Sequence, residues 1–98
     1  VVAASVWYTQ RLGAEIVYDD AEQRLAVLEF ANGSTLTLWQ VDDGAAVARS
    51  STYPILATSD ARATHAALKA QEVAVEALHE TPGVIYFRFT DPDGNPLE

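Results

Sequence analysis

The chain has no cysteine. That excludes disulfides, thiolate catalysis and cysteine-ligated zinc together, and it fits a reducing compartment. No apolar run approaches the roughly 20 residues that a membrane helix needs, and the opening residues lack the layout of a signal peptide. No serine sits in a GxSxG setting, which removes the nucleophile elbow. Bases are scarce: six Lys and Arg stand against fourteen Asp and Glu, for a net charge of -8. A surface that acidic repels phosphate backbones, so nucleic acid is not an expected partner. These absences describe a cytoplasmic protein that engages neither membrane nor nucleic acid.

What is present is one globular domain. Ninety-eight residues at 49% hydrophobic content suffice for one core and are too few for two. The chain begins "VVAAS", without Met and in mid-pattern, and is read as a domain with trimmed ends. "AASVWYTQRLG" predicts a short helix, with Ala4, Tyr8 and Leu12 on one face and Gly13 in a left-handed cap. "AEIVYDD", "RLAVLEF" and "STLTLWQ" predict three strands, the last two joined by the hairpin signal Asn32-Gly33. Residues 41–52 lack any period and are assigned as a linker. "TYPILAT" predicts a strand with Pro54 at its edge or start. "SDARATHAALKAQ" predicts a second helix capped by Ser59 or Asp60, with Ala63, Thr64, Ala67 and Leu68 facing inward. "EVAVEAL" and "VIYFRFT" predict two more strands, and "NPLE" begins another.

The order is α-β-β-β, linker, β-α-β-β-(β), and the halves overlay as one unit used twice. Leu12-Gly13-Ala14 falls on Gln71-Glu72-Val73, and Phe30 falls on Phe89. After a two-residue insertion, Asn32-Gly33 meets Asp93-Gly94 and Leu36-Thr37 meets Leu97-Glu98. Glu72 thus falls on Gly13; a non-glycine residue in a left-handed cap costs about 1 kcal/mol, which leaves open how this helix ends. In "DPDGN" Pro92 fixes φ, Asp91 and Asp93 can accept backbone N–H groups, and Gly94 supplies positive φ.

Four stretches, "ASVWYTQRLGAEI", "FANGSTLTLWQ", "YPILATSDARATHAALKAQEV" and "YFRFTDPDGNPLE", together resemble the vicinal oxygen chelate superfamily. That family holds glyoxalase I, bleomycin-resistance proteins and extradiol dioxygenases. The resemblance implies an α+β fold: two βαβββ modules forming a curved mixed sheet around a cleft, with module one at 1–40 and module two at 53–98. By that template the first strand lies upstream of Val1 and the last is cut at Glu98.

Metal-using relatives hold a divalent ion with His, Glu or Gln from one position on each of four strands. Carried over by resemblance, Glu98 matches one ligand position. Thr37 stands where a Glu is common and Tyr53 where His is usual, and the fourth position precedes Val1. A threonine hydroxyl and a protonated phenol are poor ligands for such ions. Glu98 is therefore a metal ligand only if a metal is bound at all, and no cofactor is expected. His65 lies about 130° from the helix stripe at 100° per residue and should face water. His79 sits where a strand gives way to a loop, and neither histidine aligns with a ligand position.

Alternation assigns the remaining faces. With Thr37 pointing into the cleft, Trp39 joins it while Leu36 and Leu38 pack under the helices. Ile85, Phe87 and Phe89 form an apolar face, so Tyr86 and Arg88 point the other way. The expected ligand-binding set is Thr37, Trp39, Tyr53, Tyr86, Arg88 and Glu98, with no catalytic residue. Aromatic walls with a few polar anchors suit a small molecule. The resemblance implies a metal-independent binding protein of the bleomycin-resistance type, expected as a homodimer. Its alternatives are a metal-dependent lyase, isomerase or dioxygenase that uses Glu98 with ligands outside the chain, and an interaction module whose cleft is filled.

Overall fold

Residues 2–42 and 52–98 are described by the computed structural model, which divides into two compact units, Val1–Arg49 and Ser50–Glu98. Most of the predicted 41–52 linker lies outside the described residues. The observed class is α+β. In order, the elements are α1 (Val2–Leu12), β1 (Glu15–Asp20), β2 (Leu25–Glu29), β3 (Thr35–Trp39), α2 (Ala61–Ala70), β4 (His79–Thr81), β5 (Val84–Tyr86), β6 (Phe89–Thr90) and β7 (Pro96–Leu97).

In the first unit, β1, β2 and β3 form an antiparallel sheet in that order. Ala26 and Leu28 of β2 are fully buried, and Tyr8 and Ser5 of α1 are buried with them. Alternation places Leu36 and Leu38 of β3 on the half-buried side and leaves Thr35, Thr37 and Trp39 exposed. The turn between β2 and β3 closes as its Asn-Gly pair predicts. Phe30 N–H donates to Ser34 O and Gly33 N–H donates to Phe30 O, both at 2.9 Å. Gly33 takes φ +86, a value that L side chains rarely adopt.

The second unit repeats that turn in other letters. Asp91 N–H donates to Asn95 O and Gly94 N–H donates to Asp91 O, both at 3.0 Å, with Gly94 at φ +84. Residues 30–34 and 91–95 therefore superpose turn on turn, which makes Leu36 and Thr37 the counterparts of Leu97 and Glu98. The two expected acceptors do not share the work. Asp91 Oδ1 accepts from Asp93 N–H at 3.0 Å and Asn95 N–H at 2.8 Å, and Oδ2 accepts from Asn95 Nδ2 at 2.9 Å. Asp91 is 5% exposed, whereas Asp93 is exposed and makes no such bond. Pairing of β6 with β7 follows, with Phe89 opposite Leu97; both are buried.

Helix α2 starts at Asp60, whose side chain accepts from Ala63 N–H at 3.0 Å. At its other end Glu72, the residue that overlays Gly13, is in the left-handed region at φ +62. Glu72 N–H donates to Lys69 O at 3.1 Å and Val73 N–H donates to Leu68 O at 3.0 Å. These bonds satisfy two end carbonyls, and Val73 and Leu68 are both buried. The two bonds are those of a helix end that takes a left-handed residue at this position.

Three expectations need correction. The inward face of α2 is Ala61, Thr64, His65 and Leu68, while Ala63 and Ala67 are exposed. His65 is thus half-buried rather than facing water: its ring meets Phe87 edge-on at 4.9 Å, and its Nε2–H donates to Glu76 O at 2.9 Å. An imidazole can do both, having an apolar edge and a polar tip. Second, the strand predicted over 84–90 is two, β5 and β6. His79 stands opposite Tyr86 while Val75 bridges Phe89, so the partner segment carries one extra residue and the ladder breaks as at a bulge. Ile85 is accordingly 38% exposed while Phe87 and Phe89 are buried. Third, residues 52–58 are not a regular strand; two backbone bonds tie them to Glu98, one residue beyond β7. Pro54, which has no N–H, limits that ladder.

Asp91→Ala is expected to lower unfolding free energy by about 2–3 kcal/mol, since it strands three donors around a buried carboxylate site. Asp93→Ala should stay within about 0.5 kcal/mol of the parent. Urea titrations of both variants check the contrast.

Candidate functional site

Glu98 sits where three backbone segments meet. One step beyond the Phe89–Leu97 and Thr90–Pro96 pairs, the same register sets Arg88 opposite Glu98. Opposite residues of an antiparallel pair share a face. On the other flank, Glu98 N–H donates to Pro54 O at 3.1 Å and Leu56 N–H donates to Glu98 O at 2.8 Å. That pattern puts Ile55 beside Glu98 in parallel register. Tyr53, two residues earlier, lies on the face of Ile55.

The three polar ends converge as that geometry demands. Tyr53 OH donates to Glu98 Oε1 at 3.2 Å. Arg88 Nε lies 3.5 Å from the same oxygen, an ion pair but longer than a charge-assisted hydrogen bond. The guanidinium carbon stands 5.3 Å from the centroid of the Tyr53 ring, within cation–π range. Glu98 is the sheltered member, with its side chain 15% exposed against 53% for Arg88. The Tyr53 oxygen, through charge and hydrogen bonding, and then Glu98 hold the Arg88 pKa above its ordinary value, against partial desolvation. Arg88 is therefore a permanent cation across the working pH range.

Of the predicted set, the structure brings together Tyr53, Arg88 and Glu98. Tyr86 is half-buried two residues before Arg88, and its ring stacks on His79 at 5.1 Å and 16°. Thr37 and Trp39 belong to the first unit, opposite Val27 and Leu25 on β2. Both are exposed, Trp39 at 74%. Sequence reasoning missed β4, which places His79 against Tyr86. The turn residues Pro82-Gly83 between Thr81 and Val84 were the available signal for that hairpin.

A divalent ion does not fit this donor set. The one carboxylate at the junction already faces a phenol O–H and a guanidinium, and a bound cation would stand against Arg88. Among the described residues no three His, Asp or Glu side chains gather to hold a metal. His65 and His79 are engaged elsewhere, with Glu76 O and with Tyr86.

Residues 2–98 match the family model described as "Glyoxalase/Bleomycin resistance protein/Dioxygenase superfamily". The chain belongs to this superfamily. Solved structures agree on the fold. A possible glyoxalase from Bacillus cereus is similar at TM-score 0.75 and 20% identity, over 99% of this chain and 85% of that one. A lactoylglutathione lyase from Agrobacterium tumefaciens gives TM-score 0.70 and 21% identity, over 98% and 81%. An integron cassette protein from the mobile metagenome of the Halifax Harbour sewage outfall gives TM-score 0.78 and 20% identity, over 96% and 82%. No curated protein matches. At such identities the likeness carries the glyoxalase fold alone, and the site of this superfamily member is argued from its own residues.

Tyr53→Phe is expected to cost about 1 kcal/mol, because it takes a side-chain O–H donor from a sheltered carboxylate. Arg88→Met should leave the unfolding midpoint nearly unchanged, since its pairing is loose and half solvated. Parallel urea unfolding of the two variants tests which partner holds Glu98.

Proposed function

We propose that this superfamily member binds a small molecule without a metal ion and without converting it, the mode of action that its resemblance to bleomycin-resistance proteins implies. The observation that supports this most is the engagement of Glu98. Its carboxylate accepts the Tyr53 hydroxyl and faces the Arg88 guanidinium, so the charge that an ion would supply in a metal-using relative is supplied by the chain. Lewis-acid assistance would need several ligands around open positions, and Thr37 and Tyr53 offer only hydroxyls.

The residues fit a recognition role. Arg88 offers a fixed, half-exposed charge, Tyr53 a ring face with its hydroxyl engaged, and Tyr86 a further aromatic surface. Thr37 and Trp39, exposed on β3 of the first unit, are proposed ligand-binding residues in their own right. A homodimer in the cytoplasm is part of the reading, on the resemblance and on composition. Among the described residues no helix is long and apolar enough to cross a membrane.

The test is a thermal-shift screen of small molecules on protein held in EDTA. Ligands that raise Tm in chelator, and are recovered unchanged after incubation, are the expected outcome. Arg88→Ala should weaken the best ligand at least tenfold without altering the fold by circular dichroism. Binding that chelator abolishes, or a hit that is chemically transformed, would favour the enzyme alternative.

A further inference from the structure

Three facts about the Glu98 junction say which charge a ligand brings. The exposed partner is the cation: Arg88 is 53% exposed and Glu98 15%. A molecule arriving from water therefore meets the guanidinium, while the carboxylate lies behind it under the Tyr53 hydroxyl. Next, the ion pair is incomplete. Contact runs through Nε at 3.5 Å, and among the described residues neither Nη nitrogen is paired with a carboxylate. A guanidinium carries five N–H donors in a planar fork that matches a carboxylate two bonds at a time. Arg24 and Arg62 differ in that each meets its acid through Nη2, with Asp42 and Glu80 respectively.

The third fact concerns the neighbours. Ile55, beside Glu98 in parallel register, is 68% exposed. With the ring of Tyr53 it gives the cation an apolar border. Glu76 faces Arg88 from the other side, its N–H donating to Arg88 O at 2.8 Å. Its side chain is exposed, and among the described residues its carboxylate makes no ion pair. Among the described residues Arg88 is the one cation paired at Glu98, so an anion arriving at the junction has a single place to bind.

We propose that Arg88 is the specificity-determining residue of this site and that the ligand is a carboxylate with an apolar body. The carboxylate takes the Nη fork of Arg88, and the body lies on Tyr53 and Ile55. Glu98, fixed by its backbone bonds and by Tyr53, acts as a positioning counter-ion that keeps the side chain over the ring. This rests on the binding reading above and narrows it to one ligand class. It departs from what net charge alone suggests, since a chain of charge -8 would by itself favour a cationic ligand.

The test uses benzoate and 4-phenylbutyrate as probes, against benzylamine and benzyl alcohol. Affinities come from calorimetry on the whole chain in EDTA, with the 15N shift of the Arg88 Nε–H followed by NMR. The carboxylates should bind and move the Arg88 signal, and the amine and alcohol should not. Arg88→Ala should cost at least tenfold and Arg88→Lys less, since the charge remains and the fork is lost. Glu98→Gln is the decisive variant. Its amide oxygen still accepts the Tyr53 hydroxyl while the competing charge is gone, so carboxylate affinity should rise severalfold. A fall on Glu98→Gln with benzylamine preferred by the parent would overturn the proposal in favour of a cation site. No carboxylate binding at millimolar concentration would overturn it as well. In either case binding of another small molecule in EDTA would leave the broader reading standing, and loss of all binding in EDTA would remove that reading too.

Discussion

Two backbone hydrogen bonds at Glu98 hold the candidate site of the second unit together. They join the segment carrying Tyr53 to the strand that ends the Asp-Pro-Asp-Gly turn. Without them Tyr53 has no fixed relation to Arg88. With them, a phenol, a guanidinium and a carboxylate fall within one side chain's reach of each other. The side-chain contacts are individually weak: one hydrogen bond of 3.2 Å, one loose ion pair and one cation–π approach. Position is set by backbone, and chemistry is added afterwards.

The turn that delivers Glu98 is also what ties the chain to its superfamily from within. Residues 30–34 and 91–95 make the same two backbone bonds with the same positive φ at the glycine. They use different side chains to fasten it: Asn32 Oδ1 accepts from Ser34 N–H in one, and Asp91 accepts from three donors in the other. An equivalent backbone has thus been kept while its contents diverged. The counterparts four residues after each turn glycine, Thr37 and Glu98, diverged as well. One is an exposed hydroxyl and the other a sheltered acid under a phenol. Membership of the family consequently fixes the frame and leaves the chemistry to be read from the side chains.

Features governed by local chemistry were legible in the sequence. Asn32-Gly33, Asp93-Gly94 and the Asp60 cap are set by residues within five positions of each other, and all three stand where the sequence places them. The sequence leaves open how α2 ends, because Glu72 stands where a glycine would be expected; the structure puts it in the left-handed region at φ +62. Strand parity points to Arg88, while the family resemblance places Tyr53 and Glu98; the structure brings the three together. What escaped depends on partners distant in sequence. The alternation of 84–90 is unbroken, and only the extra residue between Val75 and His79 reveals that its partner slips. His65 turned inward because Phe87 offers an edge and Glu76 a carbonyl, neither of which helical spacing can show. The looseness of the Arg88–Glu98 pair, on which ligand charge depends, is a distance, and no pattern of letters encodes it.

The account stands on Glu98 being occupied by its own chain. Elemental mass spectrometry tests that most directly, on protein purified without chelator and then offered nickel, manganese, iron and zinc. The account predicts metal far below one equivalent under every loading, for the parent and for Glu98→Gln alike. Near-stoichiometric metal in the parent, lost in Glu98→Gln, would contradict it and make Glu98 a working ligand.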